Sequence, residues 1–315
     1  MSYTRIANTL DISHDEWLSY RKKGIGGSDI GAIMGLNPWS SPFNVFIDKT
    51  TDYINDISDN DAVYWGTVLE DVVAREFAKR TGKRVTKLNA MLQSDETPFA
   101  FADIDRRIVG EYAGLECKTT NAYNYEEWKG GEVPASYICQ CQWYMYVTGF
   151  EKWYIACLIG GQHFIYKEIQ RDDELIQYMV ERATEFWLNN VLKNEAPYAD
   201  SSESCTEYLK NKYPDDNGEK VMLTSDYISF ADELMKVKEQ EKILKKRKND
   251  LENKLKQYLG EAEIGQSEHF TVTWKTQNGA PKLDKETLAG DIGAEVLSKY
   301  YIPQKIRKFI IKETK

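Results

Sequence analysis

Asp105 lies in the run FAFADIDRR, and Glu116 and Lys118 follow it, one residue apart, in GLECKTT. Side chains alternate along a strand, so Glu116 and Lys118 project from one face while Leu115 and Cys117 point the other way. Two carboxylates brought together at strand ends make a hard oxygen site for Mg²⁺, an ion that keeps several waters and favours phosphate oxygens. A lysine on the same face can hold or activate the attacking water and screen developing charge. The chemistry would be metal-assisted phosphodiester hydrolysis. The plainer reading is an ordinary salt bridge, and for so short a pattern in isolation it is the better one.

Further residues add to the constellation. Glu70, in WGTVLED, is flanked by Gly66 and apolar residues and can turn inward as a third carboxylate; alone it reads as a solvated helix glutamate. Arg21 and Ser28 flank the glycine-rich turn of GIGGSDI. A guanidinium, a hydroxyl and backbone N–H groups together suit a terminal phosphate. Alone, Ser28 would be a helix cap and Arg21 a surface charge. Gln140 and Tyr144, in QCQWYMY, are one helical turn apart and share a face that can look into the site; packing around a buried hydrogen bond is the simpler role.

These residues need elements to position them. SHDEWLSYRK, from Ser13, carries the capping box Ser13–Glu16 of a short helix. Ser28 and Asp29 can cap the next helix, Ile30 to Met34, which Gly35 stops. Another helix starts over Phe43 to Lys49, and from Asp61 apolar residues at Val68, Leu69, Val72, Val73 and Phe77 mark a long helix closed by Gly82. Residues 84–92, 99–105 and 113–118 then read as short strands. Asp103 and Asp105 would share one face of the second of them, so Asp103 is a rival for the first carboxylate. SYICQCQWYMYVTG is a helix with one apolar face, KWYIACLIGGQHFIYKEI a hairpin turning at Gly160-Gly161, and 172–194 an amphipathic helix. This order predicts an α/β (α+β) fold with a central sheet flanked by helices. Residues 1–198 form the domain, polar residues 199–220 read as a linker, and 221–315 form an extension. The extension holds a charged helix over 226–259, with an apolar stripe, then strands at HFTVTWKT and KIRKFIIKE around a short helical piece.

Composition bounds the function. A chain of 315 residues with 42% hydrophobic and 29% charged residues suits a soluble globular protein that buries a core. No stretch has the length of a membrane span, and the first residues lack the layout of a secretory signal, so a cytoplasmic location is expected. The five cysteines and three histidines suit reduced, packed thiols better than a disulfide framework or a thiolate metal cluster. A net charge of −9 argues against broad nonspecific nucleic-acid binding but leaves room for a local basic groove.

In matching order over residues 12–195, RKKGIGGSDIGAIMGLNPW, WGTVLEDVVAREF, FADIDRR, GLECKTT and PASYICQCQWYMYVTG resemble the YqaJ-type viral recombinases. These are phage exonucleases similar to lambda exonuclease, in the PD-(D/E)xK nuclease superfamily. The resemblance implies a restriction-endonuclease-like core with a mixed sheet and dependence on Mg²⁺, or Mn²⁺ in its place, with two ions per site. It implies 5′-to-3′ digestion of one strand from double-stranded DNA ends, leaving a 3′ overhang for a single-strand annealing partner. A ring-shaped trimer and a phage or prophage protein in a bacterial host follow from the same likeness. Carried over by motif, Asp105, Glu116 and the Cys117 backbone carbonyl become metal ligands with Glu70. Lys118 becomes the catalytic lysine, Gln140 its supporting glutamine, and Arg21 with Ser28 the 5′-phosphate contacts. Asp105 is preferred to Asp103 because the family's aspartate sits just before the turn. The rival functions are an endonuclease on the same core and a catalytically idle DNA-end-binding scaffold. Residues 199–315 exceed the minimal exonuclease and receive no chemical role.

Overall fold

A computed structural model describes residues 3–51, 60–279, 283–301 and 308–312. It divides into two units, Met1–Leu209 and Lys210–Lys315. The first opens with β1 (Tyr3–Asn8), α1 (His14–Arg21), α2 (Gly27–Ile33), α3 (Pro42–Thr50) and α4 (Asp61–Thr81). Short strands β2 (Val85–Thr86), β3 (Ala90–Ser94), β4 (Phe101–Asp103), β5 (Arg106–Ile108) and β6 (Ala113–Thr120) follow. Then come α5 (Tyr125–Trp128), α6 (Ala135–Thr148), the hairpin β7 (Lys152–Ile159) and β8 (His163–Gln170), α7 (Asp173–Phe186) and α8 (Glu203–Lys212).

The main sheet has the order β2-β5-β6-β7-β8 and is mixed: β6 and β7 run parallel and the other neighbours antiparallel. A parallel pair needs a crossover, and α5 and α6 supply it. Helix α4 covers one face, where Val73, Ala74 and Phe77 pack with Leu115, Tyr154 and Ala156, and Cys117 packs against the same cluster. Helix α6 lies against the opposite side of β7 and also packs on β3, β4, α2 and α7. It is therefore buried from Cys139 through Thr148 on all sides, rather than along the single apolar face expected of it. On α4 the expected stripe is half right, since Val68 and Val72 are exposed.

A second sheet, β1-β3-β4, holds a strand at residues 3–8 that the sequence reading had not assigned. The strand expected over 84–92 breaks at Asn89, whose φ of 48° is left-handed, so β2 joins one sheet and β3 the other. The strand expected over 99–105 runs from Phe101 and ends at Asp103, where the chain again changes sheets. The chain leaves one sheet after β4 and enters the other at β5, and Ile104 and Asp105 are the crossing. The hairpin turn falls at Gly160 and Gly161, both at positive φ as such a turn requires.

Residues 199–220 are not a bare linker, because α8 begins at Glu203. Cys205 is buried, and the Tyr208 ring packs edge-on against Phe43 at 5.4 Å, so the first half of α8 belongs to the first unit. The second unit contains α9 (Ser225–Leu259), the two-stranded β9 (Ile264–Gln266) and β10 (Thr271–Thr273), α10 (Lys285–Ile292) and α11 (Ala294–Ser298). The first expected strand of the extension is β10, paired with the unexpected β9. Of the second, KIRKFIIKE, residues 308–312 are not in a strand and the rest lies outside the described residues.

Candidate active site

The crossing between the sheets creates the site. Freed from strand alternation, Asp103 and Asp105 part company. Asp105 accepts the backbone N–H of Cys117 at 2.7 Å, whereas Asp103 accepts the indole N–H of Trp17 at 2.7 Å. On β6, Glu116 and Lys118 turn toward α6, opposite to Leu115 and Cys117. Lys118 Nζ lies 2.7 Å from Glu116 Oε1. Gln140 joins the two: its Nε2 donates to Glu116 Oε1 at 2.7 Å, and its Oε1 accepts from Lys118 Nζ at 3.0 Å. The same Nε2 donates to the Tyr144 hydroxyl at 3.0 Å, so both helix residues look into the site.

Asp105, Glu116, Gln140, Glu70, Arg21 and Ser28 line one cleft of roughly 350 Å³. Lys118 and Cys117 lie just behind its wall. Arg21, in the last turn of α1, donates to Ser28 Oγ at 2.9 Å. Its guanidinium stands over the Trp17 ring, 4.9 Å from the centroid. The glycine-rich turn is stitched to β4: Ile25 N–H donates to Phe99 O at 2.7 Å, and Phe101 N–H donates to Ile25 O at 2.9 Å. A Cβ on Gly27 would stand 2.5 Å from the Tyr144 ring and 3.0 Å from Gln140 Cγ, so a glycine is what lets α2 close on α6.

The expected cap is corrected here. Gly26 is the N-cap of α2, and Asp29 reaches back to accept its N–H at 2.9 Å. Ser28 is a helical residue whose hydroxyl is left for Arg21. Burial pushes the Asp29 carboxyl up, but Lys49 at 2.9 Å, Arg21 and the Gly26 N–H together hold it below the usual carboxylate range. Lys49 is buried, and its Nζ also donates to Arg21 O at 3.0 Å, which fixes the Arg21 backbone.

Electrostatically the floor of the cleft is crowded with acid. Burial, with the Glu116 and Glu70 charges, pushes Asp105 well above the ordinary carboxylate range. Burial raises Glu116 too, and Lys118 offsets this only in part. Burial alone would lower Lys118, but Glu116 and Asp105 outweigh it and hold the ammonium above the ordinary lysine range. Lys118 also stands over the Tyr137 ring at 4.7 Å.

Glu70 lines the cleft, but its carboxylate is held by Arg106, which is buried on β5. The same guanidinium grips Asp71 and donates to Asp105 O at 2.6 Å. Among the described residues no three Asp, Glu, His or Cys side chains gather into a preformed donor set. Asp103 also lines the cleft but is held by Trp17, which leaves Asp105 and Glu116, and Glu116 Oε2 is buried without a hydrogen-bond partner. An orphaned anionic oxygen beside a second carboxylate of raised pKa fits a cation such as Mg²⁺, which needs only one or two protein carboxylates.

Sequence reasoning missed Arg106, Trp17 and Lys49. The DRR run was a signal for the first, since a base next to a candidate ligand can tether a neighbouring acid. Trp17 stands one turn before Arg21, and that spacing could have marked a cation–π pair. Lys49 pairs with its neighbour Asp48 at 2.9 Å, but nothing local marks its second partner, Asp29, which comes from another helix.

Residues 16–151 match the model of the YqaJ-like viral recombinase domain. An uncharacterized Bacillus subtilis (strain 168) protein, YqaJ, is 42% identical over 311 residues, spanning 98% of this chain and 97% of its own. Among solved structures, an alkaline exonuclease from Laribacter hongkongensis is 22% identical with a TM-score of 0.49, over 63% of this chain and 97% of that one. A phage related exonuclease from Haemophilus somnus 129PT is 15% identical with a TM-score of 0.40, over 55% of this chain and 96% of that one. No helix among the described residues is long and apolar enough to cross a membrane.

Proposed function

The chain belongs to the YqaJ-like viral recombinase family, and on that premise we propose that it is a metal-dependent exonuclease that digests one strand of duplex DNA from its 5′ end. The 3′ overhang left behind is the form that a single-strand annealing protein can take up. The observation that carries the reading is Asp105, Glu116 and Gln140 lining a cleft that also holds Arg21 and Ser28, with Lys118 bonded to Glu116 and Gln140 from behind its wall.

Asp105, Glu116 and the Cys117 carbonyl would hold Mg²⁺, which supplies Lewis-acid polarisation of the scissile phosphate and a more acidic water. The chain's own groups do the rest. With its pKa raised, Lys118 stays an ammonium at neutral pH, so Nζ donates rather than abstracts a proton. It can orient the attacking water and meet the charge that develops on phosphate oxygens. Gln140 keeps Nζ and Glu116 in register by bonding both. Arg21 can grip a terminal phosphate with charge-assisted bonds, helped by the Ser28 hydroxyl. Its nearest acid, Asp29, is already neutralised by Lys49. Glu70, swung from Arg106, would complete the acidic wall.

Linear and closed circular duplexes of one sequence, incubated with enzyme and Mg²⁺, test this reading. Loss of the linear form alone supports it. Cleavage of the circle would make the protein an endonuclease, and binding without cleavage of either would make it an end-binding scaffold.

A further inference from the structure

Helix α9 carries an apolar seam that the described residues of its own unit leave largely uncovered. Phe230, Leu234, Val237, Leu244, Leu251 and Leu255 fall on alternating steps of three and four residues, with Glu241 and Lys248 in the two remaining places. A repeat of 3.5 residues is the signature of a coiled coil rather than of a helix lying on a globular core. Within α9 the one buried side chain is Leu259, packed against strand β9 at Gly265, while Leu244 at the middle of the seam is 63% exposed. From Phe230 to Leu255 the seam runs for close to four heptads, about 38 Å at 1.5 Å per residue.

We propose that α9 is a self-association surface that takes the α9 of a second copy of this chain, antiparallel, in a two-helix coiled coil. The two charged seam positions choose both the partner and its direction. In a parallel, in-register pair Glu241 would face Glu241 and Lys248 would face Lys248, two like-charge contacts inside an apolar seam. Run antiparallel about the midpoint of those residues, beside Leu244, the helices set each Glu241 level with Lys248 of the other copy, twice over. The same alignment sets Leu234 level with Leu255 and Val237 beside Leu251, so apolar residues stay opposite apolar ones. Polar residues in a coiled-coil seam fix register and orientation in this way. Lys248 is free to make the exchange: its pairing on its own helix, with Glu252 at 3.7 Å, joins two exposed side chains.

The test uses the full-length chain and a short bis-maleimide. Among the native cysteines Cys139, Cys141, Cys157 and Cys205 are buried and Cys117 is half-buried, so the unsubstituted protein is the blank. Leu244→Cys should cross-link to itself. Leu234→Cys and Leu255→Cys should each fail alone and cross-link when mixed. Glu241→Lys should weaken association at least roughly tenfold by sedimentation, and adding Lys248→Glu should restore it. Self-linking of Leu234→Cys would mean a parallel pair. Absence of every link, with Glu241→Lys sedimenting like the parent, would mean that another protein or nucleic acid covers α9. Either result overturns the proposal.

Discussion

The Asp105 carboxylate is fastened to the backbone N–H of Cys117 at 2.7 Å, so the residue that crosses between the sheets is tied to the strand bearing Glu116 and Lys118. Asp103, two positions earlier, is tied to Trp17 instead. Asp105→Ala should therefore abolish digestion of a linear duplex, and Asp103→Asn should keep most of it because an amide oxygen can still accept the indole N–H. Initial rates on one substrate decide. Loss with Asp103→Asn and survival of Asp105→Ala would exchange the two roles.

The site is built at a cost to stability. A carboxyl whose folded pKa is raised contributes stability that is present below the ordinary carboxylate range and lost as pH rises through the folded value. Asp105 and Glu116 are both of this kind, so at neutral pH the metal-free protein carries them as a burden. Asp105→Asn keeps an acceptor for Cys117 N–H and removes the charge. It should stabilise the metal-free protein, read as a rise in Tm over the parent at neutral pH. Mg²⁺ should raise the Tm of the parent and leave that of Asp105→Asn where it is. Equal shifts in both would place the ion elsewhere.

Lys118 separates chemistry from binding. Lys118→Ala should lower turnover by roughly 10²-fold or more, the scale of a positioned proton donor, while affinity for a DNA end changes little. A matching loss of affinity would make the lysine an anchor for phosphate.

The glycine-rich turn makes a different claim. Gly27→Ala would drive a methyl group into Tyr144 and Gln140, at 2.5 and 3.0 Å. Overpacking of this kind costs about 1–3 kcal/mol. The displaced Gln140 should also loosen the pairing of Glu116 with Lys118, so turnover should fall more than stability alone explains. Thermal melts beside rates at a temperature where the variant is fully folded make the comparison. Unchanged turnover there would mean that Gln140 does not position the pair.

What the sequence made legible follows the range of the interactions concerned. The Ser13–Glu16 capping box, the stop of α4 at Gly82 and the turn at Gly160-Gly161 are local, and each stands where it was read. The common face of Glu116 and Lys118 is set by alternation within one strand and was equally plain. Asp103 and Asp105 both line the cleft, but alternation stops where the chain changes sheets, so the two carboxylates take different partners, and no local residue pattern announces such a crossing. Serine favours the N-cap, which makes Ser28 the expected cap; an acceptor three residues into the helix, Asp29, satisfies the Gly26 N–H instead. Arg106 and Lys49 escaped notice because buried cations are recognised by their partners, and the partners Glu70 and Asp29 stand on other elements. The burial of α6 on all sides likewise depends on a second sheet whose first strand, β1, lies at the chain's beginning.

Direction of digestion tests the central claim most directly. A linear duplex is labelled separately at each 5′ and each 3′ terminus, with and without a 5′-phosphate, and label release is followed in Mg²⁺ for the parent and for Arg21→Ala. The expected result is early release of 5′ label, faster from phosphorylated ends, with that advantage largely erased by Arg21→Ala. Early release of 3′ label, or a parent enzyme indifferent to the 5′-phosphate, would contradict the role given to Arg21 and Ser28.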